Sequence, residues 1–264
     1  MRVFRGIESL PALRNAVATM GSFDGVHCGH RELLERVMQR ADELQGESVV
    51  ITFDPHPRYV LGTGEGMQLL STIEEKIFLL EQIGIDNLII IPFTLEFSRT
   101  SPMEFISSLA AIGIRSMVVG YNHRFGHNKE GDFEYLSTHS GEMEITKVEQ
   151  QQVAGGKVSS TITRQCIADG DMQRVEQMLA RPYIIIGKVG EDGTIGDISE
   201  NKLLPAVGEY LAKVNGTENK ISISQSREIS FEKPVEVLIK SAPAAVTFLH
   251  MRIFSSSVKR QVSI

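Results

Sequence analysis

The chain has 264 residues, of which 42% are hydrophobic and 23% are charged, a composition typical of a soluble globular protein with one large or two ordinary domains. Its formal net charge of −6 argues against broad nucleic-acid binding, which needs a basic face. No apolar run approaches the roughly 20 residues that span a bilayer, no signal-peptide shape is present, and only two cysteines occur, so we expect a cytoplasmic protein without a disulfide framework or membrane segment.

The first part of the chain alternates between strand-like and helix-like segments. Apolar residues within 29–45 fall on one stripe, which predicts an amphipathic helix. Ser101, followed by proline and then Glu104, predicts another helix start. In chain order, the remaining predictions are strands at 16–20, 48–53, 87–93, 116–120 and 143–148, and helices at 72–84 and 160–180. Strands that alternate with helices imply parallel βαβ units, and therefore a Rossmann-like, doubly wound α/β sheet.

The pattern changes after residue 182. Short β-like runs separated by Gly, Asn and Ser follow, and no strong helix pattern remains. These runs lie at 183–189, 210–214, 221–224, 235–239 and 246–254. We therefore predict two domains, an α/β domain over 1–182 and a small all-β barrel over 183–264.

The most informative motif lies between the strand predicted at 16–20 and the helix predicted at 29–45. It reads Gly21-Ser22-Phe23-Asp24-Gly25-Val26-His27-Cys28-Gly29-His30. Residues three apart on a helix share a face, so both imidazoles can reach one ligand. A helix start also presents free N–H groups and the positive end of the helix dipole. The motif therefore predicts a phosphate-binding site.

Three further polar clusters follow other strands or begin a helix. Ligands of open α/β sheets bind at the carboxyl ends of the strands, so we expect the clusters to converge on one site. They read Thr52-Phe53-Asp54-Pro55-His56-Pro57-Arg58, Asn122-His123-Arg124-Phe125-Gly126-His127 and Ser159-Ser160-Thr161-Ile162-Thr163-Arg164.

Together these segments resemble the bacterial bifunctional riboflavin kinase/FAD synthetases, whose adenylyltransferase half belongs to the HxGH nucleotidyltransferase superfamily. The similarity covers about residues 10–183. It implies transfer of AMP from ATP to FMN, which gives FAD and pyrophosphate. Mg²⁺ would arrive on ATP, with no certain metal site in the protein itself. The implied partners are the small molecules ATP and FMN, and the oligomeric state is left open.

The resemblance also implies roles for individual residues. The catalytic group would be His27, His30 and Arg164. ATP would be bound by Gly21, Ser22, Phe23, Gly29, Ser159, Ser160 and Thr161. The flavin would be bound by Thr52, Pro55, His56, Pro57, Asn122, Arg124 and Phe125. Plainer interpretations remain open, in which His56 and the 159–161 run only cap helices and Asp24 only fixes a turn.

The chain departs from the family pattern in two places of the first domain. Asn122-His123 stands where the family usually has Asp-Phe, and Ile162 stands where it often has Arg. In the second domain, residues 187–201 lack the Pro-Thr-Ala-Asn motif that serves Mg²⁺ and phosphate in riboflavin kinases, although Glu236 falls where the kinase base would lie. We therefore expect the kinase activity to be lost. The alternatives are a decayed flavin- or nucleotide-binding protein, or an adenylyltransferase for another phosphate acceptor.

Overall fold

The computed structural model describes residues 1–8, 10–149, 158–189, 194–232 and 244–248. These residues form two compact units, one within 1–67 and 76–159 and the other within 68–75 and 160–264. The segment that follows residue 159 therefore groups with the barrel, whereas the domain boundary expected from the sequence lies at 182.

A parallel six-stranded sheet organises the first unit, with strand order β1-β4-β3-β2-β5-β6. The strands are β1 (Arg2–Arg5), β2 (Ala16–Met20), β3 (Ser48–Asp54), β4 (Asn87–Pro92), β5 (Ile114–Gly120) and β6 (Glu144–Val148). All five neighbouring pairs are parallel, so the predicted doubly wound sheet is confirmed. The strand order reverses between β2 and β5, which places the ligand crevice at their carboxyl ends. The edge strand β1 was not predicted, because it is short, largely exposed and carries two arginines.

The helices largely match the periodicity of the sequence. They are α1 (Cys28–Glu43), α2 (Pro57–Val60), α3 (Ile73–Ile83), α4 (Pro102–Ala111), α5 (Phe133–His139), α6 (Ser160–Ala168) and α7 (Met172–Leu179). The helical pattern predicted for 160–180 forms two helices, α6 and α7, because Gly170 has a positive φ of 75° and Asp171 caps the start of a new helix. Within the described residues, no helix is both long and apolar enough to cross a bilayer.

Both faces of the sheet are covered. One core cluster joins alternate strand residues, such as Ile51 and Met117, to Phe105 of α4 and Leu136 of α5. Successive strand residues point to opposite faces, so the intervening side chains face the other side, where α1 packs against β2, β3 and β5. Helices packed on both faces hold the strands in place, and with them the carboxyl edge of the sheet, where the polar clusters lie.

The second unit contains a closed antiparallel barrel with strand order β10-β11-β8-β7-β12-β9. Its strands are β7 (Ile184–Val189), β8 (Thr194–Gly196), β9 (Gly208–Val214), β10 (Thr217–Ile223), β11 (Ile229–Phe231) and β12 (Ala244–Phe248). Predicted strands at 183–189, 210–214 and 221–224 are confirmed. The run at 235–239 and the end of the run at 246–254 lie outside the described residues. The three-residue strands β8 and β11 were missed because they are too short to show an alternating pattern.

A buried ion pair lies within the second unit. The Nζ atom of Lys202 lies 2.6 Å from Oε2 of Glu75, and both side chains have 0% exposure. The ammonium also donates to the carbonyls of Leu70 at 2.7 Å and Ile184 at 2.9 Å. It lies 4.0 Å from the ring centroid of Tyr183. These contacts join the segment 68–75 to the barrel, whose strands come much later in the chain.

Candidate active site

The two histidines of the motif form a stacked pair at the start of α1. Their ring centroids are 3.7 Å apart, with 10° between the ring planes. His27 caps the helix, because its Nδ1 accepts from the backbone N–H of His30 at 3.3 Å. The proton of the neutral His27 ring therefore lies on Nε2.

Burial keeps both imidazoles neutral. It lowers the pKa of His27 from 6.5 to about 4. The pKa of His30 is also held well below 6.5, first by burial and then by the charges of His27 and Lys76. At pH 7 the pair therefore offers N–H donors rather than positive charges, at a helix start that adds backbone N–H groups.

A cavity of about 590 Å³ opens at the carboxyl edge of the sheet, a volume in the range of small-molecule sites. Six predicted site residues line it: Gly21, Ser22, His56, Pro57, Arg124 and Phe125. Its aromatic wall was not predicted from the sequence and adds Phe53, Phe93, Phe97 and Phe105. The rings of these phenylalanines contact one another in series; for example, the ring centroids of Phe53 and Phe93 are 5.5 Å apart.

Two of the predicted flavin residues have protein partners of their own, and two others do not line the cavity. His56 caps α2 through its Nδ1, which accepts from the backbone N–H of Arg58 at 3.2 Å. Arg124 forms an exposed ion pair with Asp132 at 2.7 Å. Pro55 follows a cis peptide bond, and Asn122 is exposed. Neither Pro55 nor Asn122 is among the residues that line the cavity.

The predicted triphosphate residues after 158 lie where the two units divide. Ser159 precedes α6, and Ser160 and Thr161 open it. Arg164 belongs to the second unit and donates from Nε to the carbonyl of Gln68 at 2.8 Å. The role of these four residues at the triphosphate stays a prediction.

A buried lysine beside the motif was also not predicted from the sequence. Lys76 of α3 is 5% exposed, and its Nζ donates to Oγ1 of Thr52 at 3.2 Å. The signal was present, because Lys76 stands three residues after Ile73 and four before Leu80 on the apolar stripe of the helix. A lysine in such a position is rarely buried without a partner or a role.

His123 leads to a prediction about stability and pH. Burial lowers its pKa from 6.5 to about 4, so the folded protein binds fewer protons than the unfolded chain between these values. The free energy of unfolding should be highest above pH 6.5 and should fall as the pH drops towards 4. Replacing His123 by phenylalanine should remove roughly 1–3 kcal/mol of this fall, at about 1.4 kcal/mol per pKa unit.

Urea denaturation at pH 7 and pH 5 measures this difference. The exposed His139 provides a matched control, because His139→Phe replaces a histidine that is open to solvent. An equal loss of stability for wild type and His123→Phe between the two pH values would contradict the prediction.

A sheet that winds in both directions from β2, with a half-buried histidine pair and an aromatic cavity of small-molecule size at its carboxyl edge, defines a doubly wound α/β protein. The sequence profile of the FAD synthetase family matches residues 10–162. The chain belongs to the FAD synthetase family.

Relatives of known name agree with this assignment. The bifunctional riboflavin kinase/FMN adenylyltransferase of Listeria monocytogenes is 32% identical, over 83% of this chain and 74% of its own length. The proteins of the same name from Escherichia coli and Bacillus subtilis are each 31% identical, over 83% and 76% of this chain and 75% and 68% of their own. A crystal structure from Streptococcus pneumoniae, described as a macrolide-efflux protein, shares the fold, with a TM-score of 0.79, 23% identity and coverage of 94% of this chain and 98% of that one.

Proposed function

We propose that this protein transfers AMP from ATP to FMN and so produces FAD and pyrophosphate. One observation carries the proposal, namely the neutral stacked pair of His27 and His30 at the start of α1, which follows the Gly21-Ser22 turn that lines an aromatic cavity. The names of the bifunctional relatives support the same reaction.

The cavity suits the flavin. The isoalloxazine ring is flat and largely apolar, and aromatic side chains in edge-to-face or offset contact can enclose such a ring. Arg58, Arg124 and Lys129 line the same cavity and supply positive charge for the phosphate of FMN. The proposed flavin side is completed by Thr52, Pro55, His56, Pro57, Asn122 and Phe125.

The start of α1 suits the triphosphate. We assign the donors of His27 and His30 to the phosphates of ATP, together with the free N–H groups of the first helical turn. Gly21, Ser22, Phe23 and Gly29 would complete this side of ATP. Ser159, Ser160, Thr161 and Arg164 would contact the β- and γ-phosphates.

The reaction is an in-line displacement at the α-phosphorus. A phosphate oxygen of FMN forms a new P–O bond as the bond from the α-phosphorus to the bridging oxygen breaks. Pyrophosphate leaves with the electron pair of that bond. Negative charge grows on the equatorial and leaving oxygens, and the N–H donors of His27 and His30 stabilise it. Catalysis therefore consists of positioning and charge stabilisation, without a covalent enzyme intermediate.

Mg²⁺ is best placed with the substrate. Among the described residues, no group of three or more His, Cys, Asp or Glu side chains is arranged to hold a metal ion. Mg²⁺ commonly binds through substrate phosphates with few protein ligands, so it would enter with ATP. We place the reaction in the cytoplasm, where ATP and Mg²⁺ are available.

The barrel is proposed to have no riboflavin kinase activity. Its closed sheet is kept, but residues 187–201 lack the Pro-Thr-Ala-Asn motif. Phosphoryl transfer without the groups that hold Mg²⁺ and phosphate would lack its main source of charge stabilisation.

Purified protein incubated with ATP, Mg²⁺ and either FMN or riboflavin tests both statements, with the products separated by chromatography. We expect FAD from FMN and no FMN from riboflavin. Tight FMN binding without FAD formation would favour a decayed binding protein instead. Formation of FMN from riboflavin would contradict the loss of kinase activity.

A further inference from the structure

Lys76 has more hydrogen-bonding capacity than its surroundings use. An ammonium group carries three N–H donors. Within the described part of the chain, Nζ of Lys76 donates one hydrogen bond, to Oγ1 of Thr52 at 3.2 Å. The side chain is nevertheless almost fully buried, with 5% exposure. By contrast, Lys202, which is also buried, uses all three donors on Glu75 and two carbonyls.

Two carboxylates and a histidine of the proposed site interact electrostatically with Lys76. The carboxylates of Asp24, which is 2% exposed, and Asp54 both favour its charged form. Burial is the larger effect and lowers the pKa of Lys76 from 10.5 to about 8. The positive charge in turn lowers the pKa of His30.

The hydrogen bond from Lys76 to Thr52 connects the lysine, through Ser22, to the lining of the cavity. Thr52 accepts from Lys76 and donates its own Oγ1 proton to the carbonyl of Ser22 at 3.3 Å. Ser22 lines the cavity. The lysine therefore connects α3 to the turn that follows β2.

We propose that Lys76 is a positioning residue of the adenylyl-transfer site, which holds the Ser22 turn through Thr52 and offsets the negative charge of Asp24 and Asp54. This inference rests on the proposed function. The buried carboxylate of Asp24 and the half-buried carboxylate of Asp54, without a cation, would repel ATP, which is itself a polyanion. The spare donors of Lys76 can strengthen the same effect when phosphate or ordered water arrives.

The pH dependence of kcat/KM for ATP separates this role from a merely structural one, since kcat/KM reports the free enzyme. The groups that face Lys76 are Asp24, Asp54, His30 and Thr52. In the wild type, kcat/KM should fall on the alkaline side with a midpoint near pH 8, because the ammonium loses its proton there. In Lys76→Arg, the guanidinium keeps its charge, so this alkaline fall should move up by at least one pH unit.

Lys76→Met should lower kcat/KM for ATP at least ten-fold at pH 7, and its remaining activity should show no alkaline fall near pH 8. Lys220→Met, which removes the same charge from an exposed strand position, is the matched control and should behave as wild type. An unchanged kcat/KM in Lys76→Met, or an alkaline fall in Lys76→Arg at the wild-type pH, would overturn the role of Lys76.

A measurement on the wild-type protein makes the test independent of how well the variants fold. NMR of the Lys76 Cε group should give a pKa that rises by one unit or more when ATP is added, because the polyanion favours the charged lysine. An unchanged pKa would overturn the inference. A wild-type protein that forms no FAD would instead contradict the proposed function, whereas FAD formation with normal turnover by Lys76→Met contradicts only the role of Lys76.

Discussion

Replacing His27 by asparagine should lower kcat for FAD formation on the order of 10²–10³-fold, the usual effect of losing one donor to transition-state charge. The asparagine side chain can still cap α1, so the helix start should survive. The imidazole Nε2 donor and the stack on His30 are both lost. Steady-state FAD production, followed by chromatography, measures the change.

His27→Ala separates the two duties of this residue. It removes the donor and also the cap, in which Nδ1 accepts from the backbone N–H of His30. We expect the same catalytic loss as in His27→Asn, plus about 1 kcal/mol of lost stability. The exposed His139→Ala is the matched control and should keep wild-type turnover. Normal kcat in His27→Asn would rule out the proposed phosphate contact.

The second large effect concerns the barrel unit. Lys202→Met should lower the free energy of unfolding by about 3–5 kcal/mol, because it leaves the carboxylate of Glu75 buried without its cation. It also leaves two buried carbonyls without a donor. Chemical denaturation followed by circular dichroism gives the energy. Hydrogen exchange at Ile186 reports it locally, since this amide donates to Oε1 of Glu75 at 3.0 Å.

A double-mutant cycle measures how much of this loss of stability comes from the interaction between Lys202 and Glu75. Lys202→Met combined with Glu75→Met removes both charges, so its cost should be clearly smaller than the sum of the two single changes. The exposed Lys220→Met should stay within about 0.5 kcal/mol of wild type. A cost below about 1 kcal/mol for Lys202→Met would show that the carboxylate finds another partner or water.

Much of the sheet was predictable because its central strands are apolar runs bounded by polar or glycine residues. The capped start of α4 was equally readable, since Ser101 and Glu104 satisfy each other's backbone N–H groups locally. Signals of this kind depend only on neighbours in the chain. Gly170 also shows their limit, because periodicity continues across the break between α6 and α7.

The site was predictable only where its residues form a contiguous motif. The pair of His27 and His30 stands three apart in the sequence, whereas the aromatic wall comes from β3, β4, α4 and the loops beyond them. Glu75 and Lys76 are adjacent charges that look alike in the sequence. In the structure, Glu75 belongs to the barrel unit and Lys76 belongs to the sheet unit. Which partner each finds is decided by tertiary packing, which no local pattern contains.

The contact between Glu75 and Lys202 also has a consequence for synthesis. The two residues are 127 positions apart in the chain. At about 5–20 residues per second, a ribosome takes roughly 6–25 s to add that length. All strands of the parallel sheet have been made by Val148, well before Lys202 exists. The first turn of α3 is therefore made early, and Glu75 has no Lys202 to pair with until the barrel sequence has been synthesised.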